Sequence, residues 1–449
     1  MRILTTKQTM NRSGPKLAIA TALSAIFGTL IGCGSGSFVA TPTEVRGVTL
    51  QGKVHGGQQP VSGSIIQLYA AGATGYASAA SPLIASTVTS KSDGSFSIAG
   101  DYTCPSANSL VYITATQGNS GYTNNPNLSL MAALGPCGNL NSSTFIFIDE
   151  VTTIGSVWAL SPFMTGPANV GSTASNAIGL TNAFADVNTL VNTVTGVAPG
   201  PALPVGATVP ASEIDTLADI LAACVNSAGG TAGDGSACGN LFSAANPGGT
   251  PGSAPTDTIT AAMNIAQHPA LNVSSLYAIA TPTAPFQPTL GSQPNDFTIA
   301  VNYTGGNLSS PSALASDAAG NVWVANSGGN TVTELNHTGA VLSGSGYTGN
   351  LNAPSAIAID AAGNVWVTNK GSNTVTKLTS SGSIASGSPF TGGGLSLPAG
   401  IAFDSTGNAW ISNSGNASVT KIDSTGLSIT NFTGGSAITV PIGIGASPH

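Results

Sequence analysis

Ala319-Gly-Asn-Val-Trp-Val-Ala-Asn326 recurs as Ala362-Gly-Asn-Val-Trp-Val-Thr-Asn369 and as Thr406-Gly-Asn-Ala-Trp-Ile-Ser-Asn413, at offsets of 43 and 44 residues. Each copy joins a Gly-Asn turn to a β-branched strand built around one tryptophan. The wider unit opens with a strand at Pro311, Pro354 and Pro398 and continues, in the first copy, into Asn330-Thr-Val-Thr-Glu-Leu335. A period of about 40 to 50 residues with several short strands per period predicts β-propeller blades. Asp317, Asp360 and Asp404 each precede the turn, where a carboxylate can bond turn amides while glycine supplies positive φ. Trp323, Trp366 and Trp410 hold one strand position, with packing between blades as their expected role.

The repeats resemble NHL repeats and the related virginiamycin B lyase-like and SMP-30-like propellers. That resemblance implies a closed ring of 4 to 8 blades, of which residues 298–449 supply three and a fragment. Aromatic-Thr-Gly links stand at Tyr303, Tyr347, Phe390 and Phe432, and Pro441-Ile-Gly-Ile begins a further unit. The expectation is a reading frame cut short, with self-association through the open edge as the other way to cover it. The resemblance to lyases and lactonases of this kind implies a closed ring with a metal or an acid/base pair at its central channel. Glu334, the one Glu in the repeats, and the nearby His337 are the candidates; their counterparts are Lys377 with Ser380 and Lys421 with Ser424, which reads as a variable, solvated strand end.

At the other end, Arg2, Lys7, Arg12 and Lys16 precede an apolar run from Leu17 to Ile31, the layout of a secretory signal. Leu30-Ile31-Gly32-Cys33 resembles the bacterial lipobox, which implies cleavage of 1–33 before Cys33, lipidation of its thiol and a tether over 34–44. Lipid chains would hold the protein on a membrane. Gly34 in place of Asp resembles outer-membrane sorting, so the expected location is exported and lipid-anchored, at the outer membrane or cell surface. The remaining cysteines, Cys104, Cys137, Cys224 and Cys238, are an even number in an exported chain and predict two disulfides. Three pairings are open, and proximity favours Cys104 with Cys137 and Cys224 with Cys238.

Residues 45–125 alternate short β-branched runs with Gly, Pro and Ser clusters, which predicts a small β-sandwich. Asp93-Gly94 is expected to close a hairpin between Thr87–Ser90 and Ser95–Ile98. The order Gly52-Lys-Val, Pro60-Val-Ser-Gly and Ser92-Asp-Gly-Ser-Phe96 resembles the carboxypeptidase-regulatory-like, transthyretin-type modules, which are spacers or adhesive units. After a connector over 126–148, helical periodicity runs through Val151, Ile154 and Val157, through Phe184, Val187 and Leu190, through Ile214, Leu217 and Leu221, and through Ile259 and Met263. A small helical domain is expected over 149–281 and a linker over 282–297. The adjacent Asp149 and Glu150 read as helix capping, and Asp215 and Asp219 the same way.

Charged residues are 6% of the chain and the net charge is −7, with no basic cluster after residue 16, which excludes a nucleic-acid phosphate grip. The four His are scattered and no CxxC occurs, so no metal and no cofactor is expected. The chain therefore reads as multidomain: an all-β sandwich, a small helical domain and a partial propeller of about three blades. The expected function is a non-enzymatic envelope lipoprotein binding an unidentified protein or glycan, with no catalytic residue. A lyase- or lactonase-like propeller enzyme and a purely adhesive or structural protein are the alternatives.

Overall fold

The computed structural model describes residues 43–121, 123–250, 253–280, 285–434 and 439–445. The leader, the lipobox and Cys33 lie outside the described residues.

The first layers are two sheets. One contains Ser129–Pro136, Leu110–Thr116 and Ile65–Ala70, with Ser81–Pro82 and Val88–Thr89 on the far side. The other places Phe145–Ile148 parallel to Leu50–Gly56, which is flanked by Ser95–Ile98 and Gln59–Pro60. Leu50, Val54, Ile66, Leu68, Val111 and Ile113 fill the space between them. The connector expected over 126–148 instead contains two strands, Ser129–Pro136 and Phe145–Ile148, one at an edge of each sheet. The Asp93-Gly94 turn forms, with Gly94 at φ +77 and its N–H on the Lys91 carbonyl. It does not close a hairpin: Val88–Thr89 pairs with Ile65–Ile66 and Ser95–Ile98 with Leu50–Lys53, so the chain crosses between sheets. Burial of Phe96 and Ile98 in the inter-sheet core draws the second strand away.

Among the described residues six α-helices follow: α1 (Glu150–Leu160), α2 (Ala177–Leu190), α3 (Ala211–Val225), α4 (Ala237–Ala244), α5 (Thr258–Gln267) and α6 (Val273–Tyr277). They share a core with Tyr112, Met131 and Ala133, the outward face of the first sheet. That sheet is covered on both sides, which is why Val111–Ala115 is buried without alternation. Ser129–Pro136 is its edge, and an edge strand leaves N–H groups unpaired. Buried hydroxyls accept from them: Thr258 from Ser129 (2.9 Å), Thr153 from Met131 (3.0 Å) and Ser156 from Ala133 (3.0 Å). Cys104 is bonded to Cys137, and Cys224 to Cys238, the latter joining α3 to α4. The described part of the expected linker is bound to the helices: Leu290 N–H donates to Thr216 Oγ1, and Phe297 is fully buried.

Three antiparallel sheets end the chain, each opening with strands that begin at Pro311, Pro354 and Pro398. In the first two, a fourth position is held by bridges at Tyr347 and Phe390; in the third it is a full strand, Ile429–Thr433. Trp323 packs with Ile357, Val365, Val367 and Leu378 of the next blade, a core shared between blades. The arrangement is mostly β and propeller-like.

Candidate functional site

The repeat residues make a structural lattice. Oδ1 of Asp317, Asp360 and Asp404 accepts from amides of the following turn. Oδ2 accepts the indole N–H of Trp323 (3.3 Å), Trp366 (3.0 Å) and Trp410 (2.8 Å). Carboxylates with so many donors are held below the usual range, Asp404 chiefly by the Trp410 indole.

Glu334, Lys377 and Lys421 lie opposite these tryptophans on the neighbouring strand. Lys377 Nζ sits 4.7 Å from the Trp366 ring centroid and 3.2 Å from Asp360 Oδ2. The position is packed, not the solvated strand end expected from its variation: Glu334 is 6% exposed. Glu334 cannot pair with the like-charged Asp317, so its carboxylate accepts from Tyr347 Oη (2.7 Å) and Asn321 Nδ2 (3.3 Å). Burial pushes the Glu334 carboxyl up, and the Tyr347 phenol is pushed up to about 12 by burial and by this bond.

His337 points elsewhere. It lines a cavity of about 270 Å³ between the helices and the first blade, with Trp158, Asp186, Thr189 and Tyr303. Tyr303 is the one link aromatic with no repeat tryptophan before it. Its two-residue strand, Asn302–Tyr303, pairs with Ala207–Thr208 of the helical segment, and this pairing docks the first blade. Asp186 and Thr189 stand one turn apart on α2. Thr189 is 2% exposed, and neither its Oγ1 nor His337 Nδ1 has a hydrogen-bond partner. Burial pushes the Asp186 carboxyl up to about 6 and raises the Tyr303 phenol, which the Asp186 charge raises further. Trp158 Nε1 donates to the Phe297 carbonyl (3.1 Å).

A second cluster forms where α1 meets α3. Asp149 caps α1 through a reciprocal bond with Thr152. Glu150, fully buried, takes the Gly57 N–H on both carboxylate oxygens at 3.0 Å. Asp215 and Asp219 do not cap: they lie inside α3, where Asp219 accepts from Phe286 N–H (3.0 Å). Burial drives all four upward, Asp149 and Asp219 to about 7 and Asp215 to about 6. Asp149 and Asp215 also line a cavity of about 470 Å³ with His55 and Phe147. Among the described residues no group of His, Cys, Asp and Glu has the arrangement to hold a metal ion.

Sequence reasoning read Tyr303 as a link aromatic and Trp158 as part of a helical stripe, and marked none of Asp186, Thr189, Trp158 and Tyr303 as a site residue. Two signals were available: Asp186 is the one charged residue of α2, and Tyr303 is a link aromatic without its tryptophan.

No protein-family model and no curated protein matches the chain. Among solved structures it is similar to virginiamycin B lyase from Staphylococcus aureus, at 21% identity over 34% of this chain and 50% of that one, TM-score 0.30. Hydrazine synthase from Kuenenia stuttgartiensis aligns at 20% identity over 32% of this chain and 40% of that one, TM-score 0.27. A protein of unknown function from Bacteroides caccae aligns at 16% identity over 31% of this chain and 51% of that one, TM-score 0.26. The matched region spans about half the length of the lyase.

Proposed function

We propose that the chain is a non-enzymatic binding protein of the cell envelope, exported and anchored through lipid on Cys33, with the cavity between α2 and the first blade as its ligand site. The observation that carries the reading is the convergence on one cavity of an aromatic wall and a carboxyl that no protein group answers. Concave sites where polar groups converge beside aromatic side chains are a usual form of small-ligand site. The enzyme alternative loses its acid/base pair, because Glu334 is committed to Tyr347 and Asn321 and does not line the cavity with His337. The low charge and acidic balance fit a partner other than nucleic acid.

Two measurements on the full chain test this. In detergent phase partitioning of cell extracts, the wild type is expected in the detergent phase and Cys33→Ser in the aqueous phase; equal partitioning of both removes the anchor. In a ligand-observed NMR screen of small polar ring compounds, hits are expected with the wild type and are lost when Ala159→Phe fills the cavity. Hits that survive Ala159→Phe place binding elsewhere.

A further inference from the structure

Among the described residues Asp186 contributes the only carboxyl of the helix–blade cavity. Among the described residues it has neither a hydrogen-bond nor an ion-pair partner, and no Lys or Arg lines the space with it. Each of the repeat carboxylates Asp360 and Asp404 is answered by several donors, whereas Asp186, like Asp215 inside α3, meets none. A buried or half-buried charge without a partner is costly, and the cavity supplies none from its own walls.

The groups around Asp186 favour one kind of partner. Thr189 and His337 line the space beside it, but Thr189 Oγ1 and His337 Nδ1 are buried away from it, with almost no accessible surface. The Tyr303 phenol, from the blade side, can accept a hydrogen bond. The rest is ring and hydrocarbon: Trp158, whose N–H is already used by the Phe297 carbonyl, with Leu190, Ile299 and Val301. A carboxylate and a phenol oxygen beside aromatic rings match an ammonium, which has three N–H donors and is attracted to ring faces. A volume of about 270 Å³ lies just under the roughly 300–1,000 Å³ usual for small-molecule sites, so the apolar body should be a single ring.

We propose that this cavity binds a small organic cation, a primary amine carried on one ring, with Asp186 as counter-ion, the Tyr303 phenol as hydrogen-bond acceptor and Trp158 and Tyr303 as ring contacts. The proposal rests on the cavity being the ligand site. Burial holds the empty Asp186 carboxyl near 6, and the other titratable groups lining the space are Tyr303 and His337. The ionised carboxylate is the binding form, so affinity falls on acidification through that range.

The test is calorimetric titration of the full chain with tyramine and with its neutral isostere 4-ethylphenol. Tyramine is expected to bind at least tenfold more tightly than 4-ethylphenol, to lose at least tenfold in affinity with Asp186→Asn, and to lose severalfold with Tyr303→Phe, which keeps the ring and the carboxylate. Wild-type tyramine affinity is expected to drop about tenfold from pH 7.5 to 5.0, tyramine itself staying protonated; this readout stands even where Asp186→Asn misfolds. Equal affinity for amine and isostere overturns the cation proposal and leaves the ligand site standing. Absence of binding by both overturns the amine and single-ring assignments, and if the ring-compound screen is also empty the ligand-site reading falls with them.

Discussion

Each repeat tryptophan makes the same two contacts. Its indole N–H goes to the Asp six residues earlier, and its ring stacks on the link aromatic that follows: Tyr347 at 5.3 Å and Phe390 at 5.0 Å between centroids, with Phe432 tilted at 5.4 Å. In the second blade Lys377 also lies over the ring. A hydrogen bond to a charged acceptor contributes about 1.5–3 kcal/mol. Trp366→Phe keeps an aromatic ring but deletes the donor to Asp360, and is expected to destabilise the protein by about 2 kcal/mol in urea denaturation. Asp360→Asn combined with it should cost clearly less than the sum of the two single changes, because both remove one bond. Additive costs would mean that the indole bond contributes nothing net.

Between blades, the link aromatic of one unit covers a turn glycine of the next. A Cβ on Gly339, Gly382 or Gly426 would stand 1.7, 2.0 or 2.7 Å from the ring of Tyr303, Tyr347 or Phe390. All three glycines have positive φ, between +76 and +82. Gly382→Ala therefore meets both backbone strain and a displaced ring, whereas Gly387→Ala, at φ +81 with open space around it, meets the strain alone. The first change is expected to lower the melting temperature more than the second, the difference corresponding to about 1–3 kcal/mol of overpacking. Equal shifts would show that the ring yields freely. The same geometry explains Tyr303: it covers Gly339 as its successors cover theirs, but its other face turns to the cavity instead of a tryptophan.

Across the whole molecule, two sets of carboxyls pull stability in opposite directions with pH. Asp149, Glu150, Asp215 and Asp219 have folded-state pKa values raised by burial, three of them to about 6 or 7. Raised carboxyls contribute stability that is complete below the unfolded value of about 4 and is lost as pH climbs toward 7. Asp317, Asp360 and Asp404 are depressed, so their contribution is complete above about 4 and is lost on further acidification. The melting temperature is expected to be higher at pH 5 than at pH 8 and to fall again below about pH 3. Calorimetry across this range checks it. A melting temperature that climbs steadily from pH 5 to 8 would mean that the four carboxyls are ionised in the folded protein.

Much of the architecture is written locally. Turn glycines, the Asp before each turn, the β-branched strands and the helical stripes act within ten or so residues, and all are readable from the chain. Disulfide proximity was readable too, because short loops close most easily. Which faces meet was not. The strand Leu110–Thr116 carries no local mark of being covered on both sides, and Ser95–Ile98 follows a good hairpin turn yet joins another sheet. Asp149 and Glu150 come together with Asp215 and Asp219, and His337 with Asp186, across separations of tens to more than a hundred residues. Those meetings follow from where helices and blades bury their apolar surface, a cooperative outcome of the whole core that no short stretch of sequence encodes.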